Sequence, residues 1–148
     1  MIIKYILLFC ILNAGCFADT SPTPYNWKVT RVLDGDTVEV QVDFLPSELG
    51  SKLYIRIWGV DTPEKGWRAQ DDNERKMGEE AGAYTKQLVA NAKDIKIKLL
   101  SWDKYGGRLL GDVIIDGESL RECLLKNKYA REYYGERKQS WSTYDNDK

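Results

Sequence analysis

Residues 27–42 read WKVTRVLDGDTVEVQV. Val29, Val32, Val38 and Val40 are apolar among polar neighbours, and Asp34-Gly35-Asp36 stands between the two runs. Alternation of this kind suits a strand that buries one face, and Asp-Gly suits a tight turn. The stretch predicts two antiparallel strands joined by that turn. Downstream, residues 45–50 (LPSELG) read as a loop, and residues 53–60 as a third strand. It would place Leu53, Ile55 and Ile57 on one face, with Tyr54, Arg56 and Trp58 on the other.

Residues 61–76 are polar and broken by Pro63 and Gly66, so they read as irregular. Residues 79–92 have helical spacing, with Ala83, Tyr84, Leu88, Val89 and Ala92 as the apolar stripe. Residues 95–100 alternate as a strand, residues 103–107 turn, and residues 109–115 form another strand. After the Asp116-Gly117 turn a second helix runs over about residues 119–127, and the rest is polar and aromatic. The order predicts an α+β chain. Five short strands with a helix after the third suit a Greek-key barrel of OB type, although periodicity alone does not choose that barrel over a small open sheet.

The 148 residues, 43% hydrophobic and 30% charged, suit one globular domain with one core. The formal net charge of −1 argues against a protein that coats nucleic acid, and favours transient contact at a local basic site for any such partner. Histidine is absent, which excludes Ser-His and Cys-His nucleophile pairs, His-ligated zinc and a His general base.

Residues 1–18 (MIIKYILLFCILNAGCFA) have one early lysine, a short apolar run and small residues at Cys16 and Ala18. The run is too short to span a bilayer, and the pattern predicts a signal peptide cut after Ala18. Export to the periplasm or medium follows, with no transmembrane span in the mature chain. The alternative is a lipoprotein signal with Cys16 as the lipidated residue. A chain cut after Ala18 keeps only Cys123, which has no partner for an internal disulfide and reads as a small core residue. Residues 19–26 hold Pro22 and Pro24 and read as a linker, residues 27–137 as the domain, and residues 138–148 as a polar tail.

Three blocks carry the chemistry. Asp34 and Asp36 flank Gly35, as a plain hairpin turn or as two carboxylates near one point. Asp61-Thr62-Pro63-Glu64 follows a strand and reads either as a helix-capping box or as an oxygen set for a hard cation. Arg56 and Arg108 offer planar donor forks, for a surface carboxylate or for a phosphate.

Together, the wording LDGDTV, IRIWGVDTPE and DKYGGR resembles the staphylococcal nuclease family over about residues 27–134. That resemblance implies a five-stranded OB-fold barrel with two helices. It also implies a calcium-dependent, sugar-nonspecific endonuclease that hydrolyses phosphodiester bonds of DNA and RNA by water attack and leaves 3′-phosphates. Asp36 and Asp61 would bind Ca2+ through carboxylates and Thr62 through its carbonyl. Glu64 would act as the base or help position it, while Arg56 and Arg108 would clamp the phosphate and stabilise its charge. Asp34 matches a nearby acid outside the ligand set. Tyr105 and Tyr134 would bound the nucleotide pocket by stacking, and Lys104 would touch phosphate. A monomer with no stable protein partner is expected. The Gly106-Gly107 pair makes the loop before Arg108 one residue longer than in the staphylococcal enzyme. The alternative function is a noncatalytic OB-fold module that binds nucleic acid or protein.

Overall fold

A computed structural model of the chain describes residues 23–104 and 106–141. The predicted signal peptide over residues 1–18 with Cys16, the first part of the predicted linker, Tyr105, and residues 142–148 lie outside the described residues. Strand β1 (Lys28–Asp34) and strand β2 (Thr37–Gln41) pair antiparallel, with Asp34 opposite Thr37, so Gly35 and Asp36 form the hairpin turn. Strand β3 (Lys52–Ile57) pairs antiparallel to β2 and places Arg56 opposite Thr37. Two-residue strand β4 (Val60–Asp61) follows. After helix α1 (Asp72–Asn91) come β5 (Ile95–Trp102) and β6 (Leu109–Ile115). Short β7 (Glu118–Ser119), helix α2 (Leu120–Lys126) and β8 (Arg131–Glu132) complete the elements.

The main sheet has the order β1-β2-β3-β6-β5, with β3 and β6 parallel. Tyr25 and Ile97 exchange two backbone hydrogen bonds of 2.8 Å, which link the chain just before β1 to β5. That seam brings the two sheet edges together and gives the OB-type architecture expected from the resemblance. It also shows that the predicted linker ends before Tyr25, whose ring stacks on Trp27 at 4.4 Å.

The alternating faces behave as read. Val38, Val40, Ile55, Ile57, Ile97 and Val113 are buried in one core cluster, which Leu120 and Leu124 of α2 join. Arg56 lies on the other face of β3, and Trp58, just past the end of that strand, is exposed.

Helix α1 differs from expectation. It begins at Asp72 rather than near residue 79, because Asp71 caps it: the Asp71 side chain accepts from Glu74 N at 2.8 Å. Its most buried residues are Glu74, Gly78, Ala81, Gly82 and Thr85; of the predicted stripe, Tyr84, Leu88, Val89 and Ala92 pack partly buried against the core, whereas Ala83 is exposed. Small residues form that face because the helix lies close against backbone. A Cβ on Gly78 would lie 2.4 Å from the Glu64 carbonyl oxygen, and one on Gly35 would lie 2.9 Å from both Ala81 and Thr62. Cys123 also departs from its reading as core: it is half-buried, with Sγ 3.6 Å from Glu118, and burial pushes its thiol pKa up.

Candidate active site

The hairpin turn and the residues after β3 meet under α1. Thr85 Oγ1 donates to the Gly35 carbonyl at 2.8 Å, and Ile57 N donates to the Asp36 carbonyl at 2.8 Å. Thr62 N donates to Asp36 Oδ2 at 3.3 Å, which ties the two acidic blocks together across 26 residues. Glu74 accepts from Glu64 N at 3.3 Å and from Gln70 N at 2.7 Å, holding the entry to the following loop. The two sequence blocks therefore form one site, and the Asp61–Glu64 stretch does not cap α1; Asp71 does.

Asp36 and Asp61 are 3% and 1% exposed. Arg56 lies between them, with Nη1 2.8 Å from Asp36 Oδ1 and Nη2 4.0 Å from Asp61 Oδ1. Its Nη2 also donates to the Val60 carbonyl at 3.2 Å. Burial pushes the Asp36 carboxyl up to about 6; Arg56 opposes that rise and Asp34 adds to it. Burial works against the Arg56 charge as well, but the carboxylates of Asp36, Asp61 and Asp34 outweigh it and raise its pKa.

Arg108 turns back on its own loop, where Nη2 donates to Asp103 Oδ2 at 2.7 Å. A guanidinium has five N–H donors, so this anchor leaves others for an anion. Arg56, Glu64 and Arg108 line a single cleft of about 520 Å³, together with Lys104, Tyr134 and Lys138. Basic side chains outnumber acidic ones on its walls, which supplies the local basic site that the net charge of −1 does not announce. Tyr134 is exposed and packs edge-on against Trp58 at 5.0 Å. Asp34 stands behind the site, with Oδ2 3.4 Å from Arg68 Nη2.

Sequence reading missed a group of residues at the C-terminal end. Lys138 Nζ lies 2.6 Å from Asp61 Oδ1 and 3.5 Å from Glu64 Oε1. Asp61 Oδ1 is buried and is compensated mainly by the charge of Lys138. Arg131 Nη2 and Trp141 Nε1 each donate to Asp61 Oδ2 at 3.0 Å. Burial disfavours the Lys138 ammonium, but Asp61 and Glu64 outweigh this and raise its pKa. Residues 138–141, read as the start of a polar tail, are thus packed onto Asp61. Arg131 and Trp141 stand 70 and 80 residues from it, and no local motif announces them. Arg68 was also missed: its Nε lies 3.5 Å from Glu64 Oε2.

Among the described residues, no three Asp, Glu, Cys or His side chains form a closed metal cage. The donor set is instead open. Two buried carboxylates, one with an oxygen lacking a well-aligned hydrogen bond, draw in the charges of Arg56, Arg131 and Lys138. Such hard oxygens fit a divalent cation that keeps water in its remaining positions.

Residues 54–147 match the family model described as staphylococcal nuclease homologue. Endonuclease YncB of Bacillus subtilis (strain 168) is 36% identical over 112 residues, which cover 74% of this chain and 48% of that protein. Thermonuclease of Staphylococcus hyicus is 35% identical over 106 residues, covering 71% of this chain and 57% of that protein. Endonuclease YhcR of Bacillus subtilis (strain 168) is 35% identical over 116 residues, 74% of this chain but 9% of that protein. The matches span from about a tenth to just over half the length of these relatives. With the matched segment making up most of the chain and running through Arg56, Asp61, Glu64 and Arg108, this protein belongs to the staphylococcal nuclease family.

Proposed function

We propose that the chain is an exported, calcium-dependent nuclease that hydrolyses phosphodiester bonds in DNA and RNA and leaves 3′-phosphates. The observation that carries this reading is the position of Arg56, between buried Asp36 and Asp61, in the same cleft as Glu64 and Arg108. The named relatives include two endonucleases and a thermonuclease, which supports the same chemistry.

Asp36, Asp61 and the Thr62 carbonyl would hold the ion. When bound, it supplies Lewis-acid polarisation of a phosphate oxygen. The chain's own residues do the rest. Arg56 and Arg108 grip the phosphate, and their fixed forks stabilise charge that builds up during displacement. Each is already oriented by a carboxylate, Asp36 and Asp103 respectively, so little reorganisation is needed. Glu64 takes a proton from the attacking water, or positions the group that does, and the 5′-oxygen leaves in line. Trp58 and Tyr134 offer an aromatic wall on which a base stacks without sequence preference, and Lys104 adds charge beside it. Stacking suits a single strand or a frayed end.

The test is cleavage of single-stranded DNA and RNA by residues 19–148, with calcium and with chelator, beside Glu64→Gln. Calcium-dependent cutting that Glu64→Gln loses is the expected result. A folded protein that holds DNA without cutting it would replace the nuclease with a binding module. Intact mass of the exported chain tests cleavage after Ala18 against lipidation at Cys16.

A further inference from the structure

Lys138 occupies a place that the proposed reaction does not assign to it. Its Nζ is 2.6 Å from Asp61 Oδ1, and the next cation to that oxygen, Arg56 Nη2, is 4.0 Å away. The other oxygen, Oδ2, is already taken by Arg131 and Trp141 at 3.0 Å each. A carboxylate this buried needs opposite charge or hydrogen bonds on both oxygens. At Oδ1 that need is met mainly by Lys138. Oδ1 is therefore the Asp61 oxygen whose partner is exchangeable.

We infer that Lys138 is an internal counter-ion, a tethered ammonium that competes with a divalent cation for Asp61 and is displaced when the ion binds. The inference rests on the reading of Asp61 as an ion ligand.

The mobility this requires is confined to one side chain. The Lys138 side chain is 46% exposed and borders the cleft, so it can swing into solvent. The backbone around it is fastened separately. Arg131 Nη1 donates to the Ser140 carbonyl at 3.2 Å, and its guanidinium lies 4.3 Å from the Trp141 ring centre. Ser140 Oγ bonds Gln70 Oε1 at 3.0 Å. Displacement of the ammonium thus leaves the segment in place. An ion with two charges and several oxygen ligands can outcompete a single ammonium, but the competition weakens its apparent affinity.

Calorimetric titration of Ca2+ into the full chain, without nucleic acid, tests this. Lys138→Met keeps the aliphatic stem and removes the charge; it should bind Ca2+ roughly two- to fivefold more tightly than wild type, the scale of one partly exposed ion pair. Lys138→Arg keeps the charge and should match wild type. In chelator, Lys138→Met should melt below wild type, and it should gain more on adding Ca2+. If Lys138→Met does not fold, Lys138→Gln takes its place. Equal or weaker Ca2+ binding by the neutral variant, with wild type still binding, would overturn the inference and leave the ion site standing. Lys138→Arg behaving like Lys138→Met would overturn it too. No Ca2+ binding by wild type or any variant would remove the ion site and the inference with it.

Discussion

Asp61 is held from two sides by different means. On the floor of the cleft, backbone pairing does the work: Arg56 is fixed opposite Thr37 in the β2–β3 ladder, and Ile57 N bonds the Asp36 carbonyl. Helix α1 then presses on the same backbone through positions with no side chain, Gly35 and Gly78. On the C-terminal side, among the described residues, the ladder is the two-residue pairing of β4 with β8. Beyond it, residues 133–141 are held largely by side chains, chiefly Arg131, Trp141 and Ser140. A floor set by backbone register tolerates changes to its functional groups while keeping its shape. A strap held by side chains changes in stability and charge when one is removed.

The largest effect should come from the floor. Arg56→Lys keeps the charge beside Asp36 and Asp61 but loses the planar fork, and Glu64→Gln keeps shape but loses the carboxylate proposed as the base. Each should lower turnover by on the order of 10³-fold, about 4 kcal/mol of barrier, with thermal unfolding close to wild type. Turnover near wild type in both variants would move the chemistry away from this floor.

The same contrast explains what could be read from sequence. The strands were legible because their information is local: alternation gives β1, β2, β3 and β6, while Asp36, Asp61 and Glu64 stand out as candidates only through the joint resemblance of three short motifs to one family. The start of α1 was missed because its Asp71 cap lies inside a charged stretch that hides the helical pattern, and because the residues its first turns bury include Glu74 and Gly78 rather than large apolar ones. The strap was illegible for a stronger reason. Arg131, Lys138 and Trp141 reach Asp61 only after the barrel forms, and nothing near them in sequence marks an acidic partner. The Tyr105 reading falls outside the described residues.

The next effect tests the strap. Trp141 is 3% exposed, so Trp141→Ala should cost about 3 kcal/mol or more by urea unfolding, from lost burial and from an Asp61 oxygen with one donor fewer. Trp141→Phe should recover most of the packing and lose only the hydrogen bond. If both variants unfolded like wild type, the strap would contribute nothing and the floor would stand alone.

A smaller change probes how closely the helix controls the floor. Gly78→Ala places a Cβ 2.4 Å from the Glu64 carbonyl oxygen unless the backbone shifts. The expected cost is about 1–3 kcal/mol of stability, with a turnover loss out of proportion to it because Glu64 moves. Stability lost with full turnover in the folded fraction would show that Glu64 is positioned independently of α1.

The smallest effect belongs to Arg68, at the end of the short 3₁₀ turn Gly66–Arg68. It faces Glu64 Oε2 at 3.5 Å and Asp34 Oδ2 at 3.4 Å, and its side chain is 48% exposed. Both contacts are long and reach solvent, where water and salt screen the attraction and ordering the side chain offsets much of the gain. Arg68→Gln should therefore cost less than about 1 kcal/mol in urea unfolding, and the difference should shrink further as salt is raised. Glu64 would still have Lys138 on its other oxygen. A larger loss, or one that persists at high salt, would mean that this rim pair is as firmly set as the backbone floor. The distinction between a floor fixed by register and a periphery held by side-chain charge would then fail at the residue where it predicts the least.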